Sequence, residues 1–153
     1  MYTSAFAVLL LVSCVAAAPR HMVHTTPWKD CGSTTVALTN VSVSGCNSAP
    51  CKVQRGSNIT AMIYFTPKQT YASLTNAVYG LIGGVPIPFP LTQASVCELG
   101  ATCPVEVGTD YVETVVIDVL SSYPCLQLIV EWKLKDPSGN EVSCFEVPLQ
   151  ITC

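Results

Sequence analysis

Apolar and polar residues alternate with a period of two along most of this chain. Leu126, Leu128, Val130, Trp132 and Leu134 share one face of a stretch whose other face carries Gln127, Glu131, Lys133 and Lys135, the pattern of a half-buried strand. Asp136-Pro137-Ser138-Gly139-Asn140 supplies a turn. Beyond it Phe145, Val147, Leu149 and Ile151 alternate with Glu146, Pro148 and Gln150. A hairpin closing Asp136 opposite Glu141 sets Trp132 against Phe145, Val130 against Val147 and Leu128 against Leu149. Both apolar faces then lie on one side, and a slip of one residue would turn one of them outward.

Earlier segments repeat the pattern. Ile59, Ala61, Ile63 and Phe65 alternate with Thr60, Met62, Tyr64 and Thr66, and Val115, Ile117 and Val119 with Thr114, Val116 and Asp118. Val36 and Leu38, then Val41 and Val43, predict shorter strands broken at Thr39 and Asn40. No stretch of eleven or more residues carries a helical stripe. Short strands separated by Gly and Pro turns predict an all-β fold, a sandwich of two antiparallel sheets.

The first residues read as an address. Ala5 to Val15 form a short apolar run followed by Ala16-Ala17-Ala18-Pro19, the hydrophobic stretch and cleavage site of a secretory signal peptide. The run falls short of the about 20 residues that cross a bilayer. We therefore expect a signal peptide over 1–18 and one domain over 19–153, secreted or lumenal. Cleavage removes Cys14 and leaves eight of the nine cysteines. Asn40-Val41-Ser42 and Asn58-Ile59-Thr60 are glycosylation sequons that agree with such an address. A net charge of −3 supplies no basic field for nucleic acid, and an apolar share of 50% excludes a disordered chain.

The cysteines sort by spacing. Cys46 and Cys51, and Cys97 and Cys103, are close enough to staple local loops. Spacing alone leaves the other four open. The hairpin register places Cys125 near Cys153 at its open end, which leaves Cys31 for Cys144. Zinc is the competing reading; finger-type cysteine pairs are missing from the sequence, and an oxidising compartment favours disulfides.

Between Lys68 and Glu98 the chain carries no charge. Within that stretch Pro86, Pro88 and Pro90 remove alternate backbone donors and confine the segment to a sheet edge. Val85, Ile87, Phe89 and Leu91 point to one side of it. They either plug the sandwich or rim an opening onto an apolar ligand. Catalysis finds little to work with. His21 and His24 precede the first strand, away from any nucleophile, and Asp110, Glu113 and Asp118 read as a solvated strand edge rather than paired carboxylates. We expect no enzyme activity, no cofactor and no metal.

Asp30-Cys31-Gly32-Ser33, Gly84-Val85-Pro86-Ile87-Pro88-Phe89-Pro90, Tyr123-Pro124, Val130-Glu131-Trp132 and Glu146-Val147-Pro148 together resemble the ML-domain lipid-recognition family. Within it, they are similar to the Niemann-Pick type C2 (epididymal secretory) sterol-transfer proteins. The likeness runs from about Lys29 to Ile151. It implies an immunoglobulin-like sandwich whose sheets spread around an internal lipid cavity, with Cys31–Cys144, Cys46–Cys51 and Cys97–Cys103 paired and Cys125–Cys153 additional. It implies a carrier that takes a cholesterol-like sterol to a membrane or receptor. Carriage of fatty acids or semiochemicals, and innate-immune sensing of microbial lipid, are the alternatives within the same family. By similarity Phe89, Val119 and Tyr123 contact the sterol, and Ile63, Val85, Ile87, Pro124, Leu128, Val130 and Trp132 match other inward or mouth positions. The loop Leu81 to Val85 matches one that meets a membrane partner. A monomer, outside the cell or in the endosomal or lysosomal lumen, completes the expectation.

Overall fold

The computed structural model describes residues 26–153; the leader segment, its cleavage position, His21 and His24 lie outside the described residues. In chain order the elements are β1 (Lys29–Asp30), β2 (Val36–Val43), β3 (Cys51–Gln54), β4 (Ser57–Pro67), β5 (Thr75–Ile82), β6 (Val85–Phe89), a 3-10 turn (Val96–Glu98), β7 (Tyr111–Val119), β8 (Gln127–Lys135) and β9 (Glu141–Thr152). One sheet has the order β1-β9-β8-β5-β6, with β3 also on β9, and the other has the order β2-β4-β7. The sandwich is antiparallel throughout except where β3 runs parallel to β9. The chain leaves β2 through the Cys46–Cys51 loop, crosses to the other sheet for β3, and returns for β4.

The apolar alternation sets the long hairpin: Trp132 pairs with Phe145, Val130 with Val147 and Leu128 with Leu149. Its closing pair differs from the expected one. Leu134 faces Ser143 but Lys135 faces Glu141, so Val142 is an extra residue, a bulge. The turn imposes this. Asp136 N–H donates to Asn140 O at 2.9 Å, while the Asp136 carboxylate accepts from the N–H groups of Ser138 and Asn140. Asp136 is thereby closed against Asn140, not Glu141. β2 is likewise one strand where two were expected. A register shift between Leu38 and Asn40 changes its phase, so Val36 and Val41 both face the core.

All four cysteine pairs form: Cys31–Cys144, Cys46–Cys51, Cys97–Cys103 and Cys125–Cys153. Among the described residues the proline-bearing β6 pairs only with β5 and is the sheet's edge, where absent donors cost no ladder bond. Gly83 and Gly84, both at positive φ, make the two-residue turn into it. Both sequon asparagines lie on the outer face of the three-stranded sheet. Asn40 is opposite Tyr64, and Asn58 alternates with inward Ile59.

Inward side chains divide the sandwich into a solid half and a hollow half. On β4, Ile63 and Phe65 are fully buried in the solid half, whereas Ile59 and Ala61 border empty space. The division falls between Leu134 and Trp132 on β8, Val115 and Ile117 on β7, and Asn76 and Val78 on β5. Leu74, Val96 and Val105 help fill the solid half.

Candidate functional site

The empty space is a cavity of about 480 Å³ between the sheets, within the range of roughly 300–1,000 Å³ typical of small-molecule sites. Val41, Val43 and Ala61 line it from the three-stranded sheet, and Val130, Val147 and Leu149 from the larger one. Gly80 leaves room for the Leu128 side chain, since a Cβ there would stand 3.0 Å from Leu128 Cδ1. Among the described lining residues Asp118 alone carries a formal charge, and none is Lys or Arg.

The mouth lies where the two sheet edges β6 and β7 face one another. Phe89 at the end of β6 meets Tyr123 edge-to-face, ring centroids 6.0 Å apart, and both line the cavity. A smaller cleft of about 140 Å³ adjoins it outside, shared by Phe89, Tyr123, Leu91, Val116 and Leu120. The inner end is closed by Trp132 stacked on Phe145 at 5.8 Å.

Eight of the ten ligand positions expected from sequence come together on this wall: Phe89, Val119, Tyr123, Ile87, Pro124, Leu128, Val130 and Trp132. Two do not. Ile63 is buried in the solid half, one inward step past Ala61. Val85 is 61% exposed, because the Gly83-Gly84 turn carries it to the hairpin tip beyond the sandwich. Val41 and Val43 of β2, Ile59 and Ala61 of β4, and Ile117, Leu149 and Ile151 also line the cavity and were not among the expected positions. Their alternation was the available signal.

The reading of Glu113 as part of a solvated edge is overturned. Its side chain is fully buried. Trp132 Nε1–H donates to Asn76 Oδ1, and Asn76 Nδ2 donates to Glu113 Oε2 at 2.7 Å. Burial pushes the Glu113 carboxyl up to about 7, opposed only by the Asn76 bond. Asp110 and Asp118 are exposed.

Comparison with known proteins agrees with this architecture. The family model of the ML domain matches residues 25–151. The NPC intracellular cholesterol transporter 2 of Mus musculus is 35% identical over 146 residues, 95% of this chain and 96% of the mouse protein. Its Drosophila melanogaster homolog a is 33% identical over 127 residues, covering 81% of this chain and 86% of that one. A crystal structure of a Niemann-Pick type C2 protein from Japanese carpenter ant superposes with a TM-score of 0.78 at 25% identity, covering 82% of this chain and 99% of the ant chain. With its immunoglobulin-like sandwich, hollow at one end, this chain belongs to the ML-domain family and stands among its Niemann-Pick type C2-like members.

Proposed function

We propose that this protein is a lipid carrier that holds one sterol of the cholesterol class in the hollow half of its sandwich and passes it, chemically unchanged, to a membrane or membrane receptor. The cavity carries the reading: about 480 Å³ of apolar space in a chain whose relatives are named cholesterol transporters. Burying apolar surface contributes about 25 cal/mol per Å², so a sterol's rings and tail need no charged anchor. A fatty acid is the poorer fit. Its carboxylate finds no Lys or Arg among the described lining residues and meets Asp118 instead, whereas a hydroxyl is content with water at the mouth.

Phe89 and Tyr123 act as the gate, and the β5–β6 hairpin offers an apolar tip, with Ile82 and Val85 exposed, to the receiving membrane. Four disulfides fit an extracellular, endosomal or lysosomal setting, since reducing compartments keep thiols free.

Titrating the delipidated protein with a fluorescent sterol tests the reading, with native mass spectrometry identifying any lipid that co-purifies. Saturable one-to-one binding is expected. Phe89→Ala and Tyr123→Ala should each weaken it about tenfold, the worth of about 1.4 kcal/mol of lost aromatic contact. No saturable sterol binding, or tighter binding of fatty acids, would sink it.

A further inference from the structure

Glu113, Asn76 and Trp132 form a polar chain across an otherwise apolar sandwich, at the boundary between its solid and hollow halves. Glu113 is on β7 of the three-stranded sheet; Asn76 and Trp132 are on β5 and β8 of the other. The chain thus ties one sheet to the other, and its last member closes the inner end of the cavity.

The direction of every bond follows from Trp132. An indole nitrogen can only donate, so Asn76 must turn its Oδ1 toward Trp132 and its Nδ2 toward Glu113. The same Nδ2 donates to Ala94 O at 3.1 Å, and the Asn76 backbone N–H to the same carbonyl at 2.7 Å. The amide cannot flip without setting donor against donor at Trp132. Glu113 Oε2 is therefore an acceptor in either protonation state, and a proton, when present, belongs on Oε1. That oxygen is buried and has no hydrogen-bond partner among the described residues.

Among the described residues no nearby charge offsets an ionised Glu113. Opposite it on β4 stands Ile63, and β2 and β4 contain no charged residue. On β8, Glu131 and Lys133 flank Trp132 on the outer face and pair with each other at 2.9 Å, and Lys133 lies over outward Tyr79 of β5. On β7, Tyr111 stacks on Phe65 and its hydroxyl accepts the Glu106 N–H, while Asp118 is exposed. Before β7, Asp110 accepts the Thr66 hydroxyl. Glu98, in the 3-10 turn near Ala94, is exposed. A carboxylate at Glu113 has one amide to lean on.

The geometry points to a pH-sensitive latch: Glu113 and Asn76 are positioning residues that hold Trp132 in the cavity wall, and ionisation of Glu113, although it strengthens the Asn76 bond, leaves a buried charge without a counter-charge that draws water in and loosens that wall, so lipid is held more tightly at about pH 5.5 than at about pH 8. It rests on the carrier reading only for the lipid itself. The movement of Trp132 is a property of the ligand-free chain.

Two readouts on the full-length mature protein separate the two. In a Trp28→Phe background, emission of ligand-free Trp132 should change in one step near neutral pH, and fluorescent-sterol affinity should fall about tenfold across that step, a typical coupling between sites. Glu113→Gln, neutral at every pH, should show neither change and keep the acid-pH affinity. Asn76→Ala, which disconnects Trp132 from the carboxyl, should abolish the emission step. Emission constant from about pH 5 to about pH 8, or a step that survives Glu113→Gln or Asn76→Ala, overturns the latch. Absence of sterol binding at every pH overturns the carrier reading instead, and leaves the emission experiment to decide the latch.

Discussion

Ala61→Phe is expected to abolish lipid binding while leaving the fold as stable as before, or more so. Ala61 faces the cavity from the middle of β4, with Val115 of β7 and Val43 of β2 as its cross-strand partners. A phenyl ring there projects into empty space and finds Val130 and Val147 on the opposite wall. It gains contacts that the hollow half lacks. A sterol that needs the same volume is excluded, and its affinity should fall at least about 100-fold, which is about 2.7 kcal/mol. The control is the same substitution at Ala101, buried in the solid half. Overpacking a filled core costs about 1–3 kcal/mol, so Ala101→Phe should lower the urea midpoint. Sterol titration beside equilibrium unfolding of both variants reads the contrast. Equal destabilisation by the two would mean that the hollow half is packed in solution.

The strand pattern was legible because period-two alternation is a direct record of which face is buried. It placed Trp132, Val130 and Leu128 against their partners on β9 before any coordinates. The bulge at Val142 was not legible, because it comes from the hydrogen bonds Asp136 gathers in its turn, and these compete with an otherwise sensible closing pair. The cavity was only half legible. Alternation says that Ile63 and Ala61 point the same way; it does not say that the sheets have separated at one and not at the other. That depends on how far apart the layers stand, a sum over both sheets. Glu113 is the reverse case. It shares parity with Val115, Ile117 and Val119, so its inward direction was written in the chain. The prior against burying a carboxylate outweighed it, since such burial is rare without a partner. The partner, Asn76, lies 37 residues away within an apolar strand, where only the fold could bring the two together.

Stability should fall as pH rises from about 4.5 to about 7, by about 3 kcal/mol, and then level off. The sign follows from proton counts at Glu113. Below its ordinary value of 4.5 both folded and unfolded chains hold the proton, and the group is neutral in its effect. Above 4.5 the unfolded chain releases it, while the folded chain keeps it until about 7 because burial disfavours the charge. In that window the folded state binds more protons, and each added pH unit removes up to about 1.4 kcal/mol. Asp30 and Asp136 act oppositely and at lower pH. Burial, the largest single influence on Asp30, raises it, but hydrogen bonds from Ser33 and Gly32 and the charge of Lys68 together outweigh that and carry it below 3.8. Hydrogen bonds from Asn140, Ser138 and Gly139 lower Asp136 likewise. Their support is present above the ordinary aspartate range and is lost as pH falls through their lowered values. The two trends leave a stability maximum in the acid range, about pH 4–5, instead of at neutrality. Urea unfolding at a series of pH values measures it. Glu113→Gln should hold its acid-range stability through about pH 8, whereas a Gln variant that declines in parallel with wild type would locate the proton elsewhere. A buried acid of this kind lowers stability at neutral pH. What it provides in return is a tie between the sheets whose strength depends on a proton, placed where the solid half of the sandwich meets the space a lipid occupies.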